Sequence, residues 1–167
     1  MSEQMPTGSC QLVKLRTKRL VEVTAFNASR AVGDSLGLPH RPGAVSVSAD
    51  GVSSLYFAPG RWLLVEPTAA WETRVREATQ WGTWVEVTGK WSALTLQGPG
   101  AERLLASTID VQTTLYDREC AAVTLFDCPS ILVRGELGFT IWVRASVVED
   151  WVAAVERLGA SWRIATP

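Results

Sequence analysis

The chain has 167 residues, of which 47% are hydrophobic and 20% charged, and its net charge is -1. This length suits one domain with a sizeable buried core, and the composition is that of an ordinary globular protein. The near-neutral charge provides no attraction to nucleic acid or to an anionic membrane, and no apolar run reaches the roughly 18 residues of a membrane helix. The amino terminus lacks the basic and apolar regions of a secretory signal, so we expect a cytoplasmic location.

Residues 1–16 are predicted to form a flexible N-terminal segment. Leu12, Val13 and Leu15 leave an alternative open, because their spacing also allows an added strand. The alternating residues 20–26 then predict a half-buried strand.

The rest of the first half predicts two helices and three strands. Asn27 is expected to cap a helix over 28–36 that Gly37 ends, and Thr68 is expected to cap a helix over 69–80. Between the helices, strands are predicted over 44–49, 53–58 and 61–66, with turns at Asp50-Gly51 and Pro59-Gly60.

The second half predicts a similar series of elements. Strands are expected over 84–87 and 91–97, followed by a helix over 100–107 and a loop or extended linker over 109–119. Three more strands are predicted over 121–126, 130–134 and 139–143, with turns at Asp127-Cys128-Pro129 and 135–138. A helix over 147–158 follows, which Ser146 is expected to cap and Gly159 to end. An edge strand is predicted over 161–165.

The order of these elements repeats. Each half reads strand, short helix, long loop, three strands and longer helix, and "GRWLLVEPT" (60–68) lies over "GFTIWVRAS" (138–146). The sequence therefore predicts an α+β fold with two duplicated ββ-α-βββ-α units, whose helices cover one side of the sheets. The halves are predicted to span about residues 19–82 and 83–165 of a single domain over 17–167.

The turn Gly98-Pro99-Gly100 lies between a predicted strand and a predicted helix, where phosphate-binding loops often occur. A Walker-type loop needs Lys and Ser or Thr after its last glycine, but Ala101 and Glu102 follow here. Pro99 suits the first turn of a helix, and Glu102 suits its positive end. We therefore expect this turn to redirect the chain and not to hold a ligand.

The three cysteines, Cys10, Cys120 and Cys128, form no CxxC pair, and His40 is the only histidine. A zinc site usually needs four closely patterned Cys or His ligands, so no metal site is predicted. A nucleophilic cysteine would need His40 folded against Cys120 or Cys128 as its base, whereas a solvent-facing loop histidine is the alternative.

The other candidates are charged residues near turns and strand ends. No pair of loop carboxylates has a spacing typical of acid–base catalysis; they are Asp110, Asp117, Glu119, Asp127 and Glu136. Four arginines near strand ends could bind a ligand carboxylate, contact a partner subunit or simply face solvent; they are Arg61, Arg118, Arg134 and Arg144. The eight tryptophans favour an aromatic-rich partner surface in addition to a core.

Three segments resemble one known family. "GRWLLV" (60–65), "WSALTLQGPGAERLLA" (91–106) and "ILVRGELGFTIWVRASVVEDWVAAV" (131–155) are similar in order and spacing to the gamma subunit of heterotetrameric sarcosine oxidase. The resemblance covers about residues 19–158. It implies a fold similar to the folate-binding domain of glycine-cleavage aminomethyltransferases, which is itself a duplication.

The resemblance also implies a function. The complex oxidises sarcosine to glycine, oxygen gives hydrogen peroxide, and the one-carbon unit leaves as formaldehyde or passes to tetrahydrofolate. The other subunits (alpha, beta and delta) would carry FAD, FMN, NAD and zinc. The gamma subunit would bind no cofactor and would contact chiefly the large alpha subunit. No catalytic, cofactor-binding or metal residue is carried over, so we expect a non-catalytic, structural role in assembly.

Departures from the family pattern leave an alternative open, and one of them precedes the last helix. Where the family often has Arg-Ser before the last helix, this chain has Arg144-Ala145-Ser146. The alternative function is a stand-alone aminomethyltransferase-like protein that binds folate in a central cleft between its halves.

Overall fold

The computed structural model describes residues 9–16, 18–25, 29–78, 82–158 and 161–164, without the side chains of 29, 78 and 161–164. Eleven strands, five helices and one 3-10 turn lie in this part of the chain. They confirm the predicted mixed α+β class.

In chain order, the elements are β1 (Gln11–Lys14), β2 (Leu20–Ala25), α1 (Ser29–Leu36), β3 (Val45–Val47), β4 (Ser53–Ala58), β5 (Arg61–Val65), α2 (Ala69–Ala78), β6 (Gly82–Glu86), β7 (Trp91–Gln97), α3 (Ala101–Leu105), α4 (Val111–Thr114), β8 (Cys120–Leu125), β9 (Cys128–Gly135), β10 (Gly138–Arg144), α5 (Val148–Arg157) and β11 (Ser161–Ile164).

The chain forms two compact units. One comprises Lys18–Thr88 and Asp117–Ala121, and the other comprises the described parts of Met1–Thr17, Gly89–Tyr116 and Ala122–Pro167. The first unit contains a five-stranded sheet in the order β3-β4-β5-β2-β6, and the second contains a six-stranded sheet in the order β11-β1-β7-β10-β9-β8. The described pairs are antiparallel except for β1 with β11, which is parallel.

Aromatic side chains organise the core of the first unit. Tyr56, Trp62 and Val23 lie in register on three neighbouring strands, and the rings of Tyr56 and Trp62 stack with centroids 4.4 Å apart. The indole Nε1 of Trp62 donates to the carbonyl of Pro39 at 3.0 Å, which satisfies the polar end of a fully buried side chain. This core also contains Val32 and Leu36 of α1 and Trp71 and Val75 of α2.

Local turn chemistry accounts for several element ends. Gly37 and Gly51 have φ of +66° and +82°, a region that favours glycine, and they lie at the predicted helix end and hairpin turn. Thr68 Oγ1 accepts a hydrogen bond from the amide of Trp71 at 3.4 Å at the start of α2. The predicted cap at Asn27 and the helix end at Gly159 lie outside the described residues.

The N-terminal segment differs from the flexible segment predicted over residues 1–16. Gln11–Lys14 forms β1, as the alternative proposed, and pairs with β7 on one side and β11 on the other. Leu12 is fully buried there, and the burial of this apolar side chain stabilises the strand against the flexibility that was predicted. Residues 1–8 lie outside the described part.

Three local predictions in the second half were wrong. Val147, not Ser146, precedes α5, and Ala145–Val147 forms a 3-10 turn without a side-chain cap. The 109–119 segment contains α4. The hairpin turn is Phe126-Asp127, both with positive φ, and Cys128 already begins β9.

Candidate functional site

The structure gives the Gly98-Pro99-Gly100 turn internal hydrogen bonds. The amide of Gly100 donates to the carbonyl of Ser9, and the amide of Ala101 donates to the carbonyl of Gly98, both at 3.0 Å. Gly98 has φ of +102°, which redirects the chain into the five-residue α3. These amides are therefore engaged by the chain itself, consistent with the predicted role in turning it.

His40, Cys120 and Cys128 each have contacts or burial of their own. His40 Nε2 lies 3.2 Å from the carboxylate of Asp34. Cys120 is fully buried, its Sγ lies 3.7 Å from the carbonyl of Ala44, and burial together with the nearby Glu119 carboxylate raises its pKa to about 12. Cys120 is therefore almost entirely the protonated thiol near neutral pH, which does not favour a nucleophilic role. Cys128 is half-buried.

The predicted carboxylates have mainly structural partners. Asp110 caps α4, where it accepts hydrogen bonds from the amide of Thr113 at 3.0 Å and its hydroxyl at 2.7 Å. Glu119 accepts a hydrogen bond from the amide of Val45 at 2.9 Å, and Asp117 lies near Arg118. Asp127 and Glu136 occupy hairpin turns.

Arg134 and Arg144 are separated along their sheet, and Arg61 and Arg118 each have contacts of their own. Arg134 pairs in register with Phe139, five residues before Arg144 on β10, so the two guanidinium-bearing positions are about 17 Å apart along the strand. Arg61 binds the carboxylate of Glu22, which is only 8% exposed, and lies 5.0 Å from the ring centroid of Phe57. The stem of Arg118 packs against Gly43.

The ring of Trp91 lies close to two cationic side chains. The guanidinium carbon of Arg144 lies 4.9 Å and Lys90 Nζ lies 5.6 Å from the ring centroid of Trp91. Trp91 is buried, whereas Arg144 is exposed. Such a Trp-and-Arg cluster is typical of protein interfaces.

A groove in the second unit is a further candidate site. It lies between α5, the hairpin of β8 and β9, and Thr108 in the segment that follows α3, and its volume is about 690 Å³. The ring of Trp151 on α5 meets that of Phe126 in the hairpin turn edge to face, with centroids 5.5 Å apart. The residues lining this groove, hereafter the α5 groove, are Thr108, Thr124, Phe126, Asp127, Cys128, Asp150, Trp151, Ala154 and Arg157.

Polarity divides the α5 groove into a floor and a rim. Trp151 is 1% exposed, and Phe126 and Ala154 are half-buried, whereas Asp127 and Asp150 are exposed, as is Arg157 on the same rim. The buried indole Nε1 of Trp151 has no hydrogen-bond partner within the described residues. This arrangement can hold a small molecule that has an apolar body and charged ends.

Asp150 and Arg157 were missed by the sequence analysis. With Ala154 they follow the i, i+4, i+7 spacing that places residues on one face of α5. The sequence contains this spacing, but charged residues on one face of a helix usually face solvent and bind no ligand. These residues line a groove because the β8–β9 hairpin packs beside α5, and the sequence pattern of α5 does not contain that contact.

No group of three or more His, Cys, Asp or Glu residues in the described ranges could hold a metal ion. Among the described helices, none has the length and apolarity needed to cross a membrane.

Structural comparison decides the fold. A chain of heterotetrameric sarcosine oxidase from Corynebacterium sp. U-96 matches with a TM-score of 0.75, over 95% of this chain and 90% of that one, at 23% identity. The chain has the fold of this sarcosine oxidase chain. Glycine-cleavage aminomethyltransferase T from Bartonella henselae is also similar, with a TM-score of 0.64 and 19% identity over 93% of this chain.

The two comparisons differ in extent. This chain spans only 48% of the aminomethyltransferase but 90% of the sarcosine oxidase chain. No family model matches the sequence, and no curated protein matches it. The predicted resemblance to sarcosine oxidase and to aminomethyltransferase is thus confirmed at the level of the fold.

Proposed function

We propose that this chain is a non-catalytic, gamma-type subunit of a sarcosine oxidase complex. Its role is to pack against a larger subunit and to stabilise the assembled state by mass action. The reaction of the complex is the oxidative demethylation of sarcosine to glycine.

The extent of the structural match carries this proposal. A chain that corresponds to nearly the whole of a sarcosine oxidase chain, but to about half of an aminomethyltransferase, has the size of an assembly component. The sarcosine oxidase that contains the matching chain is a heterotetramer, which supports membership of a complex.

Exposed side chains of the kinds found in interfaces support a docking role. Large apolar side chains are exposed at Val47, Val85, Tyr116, Leu137 and Leu158. The cluster of Arg144 and Lys90 on Trp91 adds an aromatic and cationic surface. Interfaces are enriched in tryptophan, tyrosine and arginine.

We also propose that the two units are duplicates. The series β2, α1, β3, β4, β5, α2, β6 has the same order of strands and helices as β7, α3, β8, β9, β10, α5, β11, apart from the short α4. The sheet orders β3-β4-β5-β2 and β8-β9-β10-β7 also correspond. Superposing these four-stranded sets tests the proposal, and a fit that needs reversed chain directions would contradict it.

Partners and cofactors follow from the same proposal. The partners are the alpha, beta and delta subunits, chiefly the large alpha subunit, in the cytoplasm. FAD, FMN, NAD, zinc and tetrahydrofolate belong to those subunits, and this chain binds none of them.

Co-purification tests the assembly role. The full chain is co-expressed with a tagged alpha-type subunit that binds flavin, and the expected result is a complex of fixed stoichiometry. Single substitutions to aspartate at Val47, Val85, Tyr116, Leu137 and Leu158 should leave the isolated fold intact, because these side chains are exposed, and at least one should reduce co-purification. Failure of the unsubstituted chain to associate argues against the proposal.

Activity of the isolated chain gives a second test. Purified chain incubated with sarcosine and oxygen should release no hydrogen peroxide, whereas the reconstituted complex should release it. Peroxide release by this chain without partners would refute the non-catalytic role.

The aminomethyltransferase similarity supports one alternative, a stand-alone folate-binding protein. Calorimetric titration of the isolated chain with tetrahydrofolate distinguishes the two. Micromolar binding without any partner favours the alternative, and its absence together with co-purification favours the assembly role.

A further inference from the structure

The α5 groove combines an apolar floor with uncommitted charges of both signs. Within the described residues, no hydrogen bond or ion pair holds the side chains of Asp127, Asp150 or Arg157. Charged side chains that face a common groove without pairing with each other are available to a ligand. We propose that the α5 groove binds a small zwitterion whose amine and carboxylate lie at opposite ends of an apolar chain.

The amine of the ligand would bind the carboxylates of Asp127 and Asp150. Asp150 lies on α5 and Asp127 in the hairpin turn, so they approach the groove from different walls. The rings of Phe126 and Trp151, which meet edge to face, line the same groove. Carboxylates neutralise an ammonium group, and the half-buried ring of Phe126 can attract it further.

The carboxylate end belongs with Arg157. A guanidinium offers a planar pair of donors that matches a carboxylate. Arg157 lies in the last turn of α5, seven residues after Asp150. At 1.5 Å per residue, the two positions are about 10 Å apart along the helix.

This separation selects the length of the ligand. An α-amino acid carries both charges on neighbouring carbons and cannot engage both ends of the groove. An ω-amino acid with a chain of several methylenes can, and its apolar chain would lie on Trp151 and Ala154. A volume of about 690 Å³ accommodates an extended organic molecule and exceeds the need of a single ion.

A titration of the full chain with 6-aminohexanoate tests the proposal. Binding is followed by NMR through the indole Nε1–H resonance of Trp151, whose hydrogen has no partner in the described structure. We expect a saturable shift of this resonance. Glycine, which has both charges but no spacer, should bind about tenfold more weakly or not at all, since it can satisfy only one end.

Single-charge probes separate the two ends. Hexanoate lacks the amine and hexylamine lacks the carboxylate, so each should bind about three- to tenfold more weakly than 6-aminohexanoate. Arg157→Gln should weaken binding of 6-aminohexanoate and hexanoate but leave hexylamine unchanged. Asp150→Asn should weaken binding of 6-aminohexanoate and hexylamine but not of hexanoate.

Matched controls exclude a general charge effect. Glu156→Gln removes an exposed carboxylate from α5, and Arg134→Gln removes an exposed guanidinium from β9; neither residue lines the groove. Both variants should bind 6-aminohexanoate as the unsubstituted chain does. The proposal is overturned if hexanoate binds as tightly as 6-aminohexanoate, if the control variants lose binding equally, or if no resonance shifts. Because the test uses the chain without partners, its outcome is independent of complex membership.

Discussion

Gly138 lies where the neighbouring strand leaves no room for a side chain. It begins β10 with φ of +150°, and a Cβ atom built on it would lie 2.2 Å from the carbonyl oxygen of Leu96 on β7. The close approach of the two strands therefore depends on glycine at this position.

Gly138→Ala should destabilise the fold by about 2–4 kcal/mol, because it adds a steric clash to an unfavourable φ. Gly135 is the matched control, since it is the cross-strand partner of Gly138 and a Cβ atom added to it would lie 3.5 Å from the nearest atom, the Gly138 carbonyl oxygen. Gly135→Ala should change stability by less than about 1 kcal/mol. Urea unfolding measures both, and equal losses would contradict this explanation.

The thiols of Cys120 and Cys128 should differ in reactivity. Burial raises the pKa of Cys120 to about 12 from the ordinary 9.0, so its thiolate fraction at pH 8 is roughly 1000-fold lower than that of an unperturbed thiol. The thiolate appears only as pH rises toward this pKa.

Iodoacetamide at pH 8 should therefore modify the half-buried Cys128 in the native chain and leave Cys120 unmodified until urea unfolds it. Peptide mapping by mass spectrometry measures both positions. Equal labelling rates in the native chain would show that Cys120 is accessible.

At the scale of the element, α4 shows how one side chain can create a helix within a predicted loop. This helix has only four residues, and Asp110 supplies its N-cap. The hydrogen bonds from the amide and then the hydroxyl of Thr113 lower the pKa of Asp110. Val111 is buried, which fixes the short helix against the fold.

Asp110→Ala should lower the urea midpoint at pH 7, whereas Asp110→Asn, which keeps an acceptor, should lower it less. Because the pKa of Asp110 is lower in the folded state, its ionic contribution is present above the unfolded pKa and is lost as pH falls through the folded pKa. The difference between the unsubstituted chain and Asp110→Asn should therefore shrink between pH 5 and pH 3, about the ordinary pKa of aspartate. A difference independent of pH would contradict this role.

At the scale of the whole molecule, the six-stranded sheet joins strands that are far apart in sequence. β1 lies between β7 and β11, with Leu12 opposite Leu96 and Trp162 in register. The pairing of β1 with β11 closes a long loop of chain, so we expect it to form late in folding.

Deletion of residues 1–16 should lower stability and expose the amides of β11, which pairs with β1 in the described sheet. Leu12→Ala is a smaller change to the same strand and should lower the free energy of unfolding by about 2–5 kcal/mol, since this side chain is fully buried. Urea unfolding and hydrogen exchange of residues 161–164 measure these effects. Unchanged protection in the deletion variant would mean that β11 does not depend on β1.

Local patterns determined much of the secondary structure. The predicted strands 53–58 and 91–97 coincide with β4 and β7, because alternation and flanking turns act within a few residues. The end of α1 at Gly37 likewise follows from a single φ that glycine favours. The motif order also indicated the fold that the structural comparison confirms.

Long-range packing decided what local patterns did not contain. The place of β1 in a sheet depends on Leu96 and on a strand about 150 residues away, and neither acts on the segment locally. Asp150 and Arg157 became groove residues only because the Phe126-Asp127 hairpin folds beside α5. Turn and helix signals arise from neighbouring residues, whereas strand partners and grooves are set by the burial of apolar surface from distant parts of the chain, which only the tertiary structure specifies.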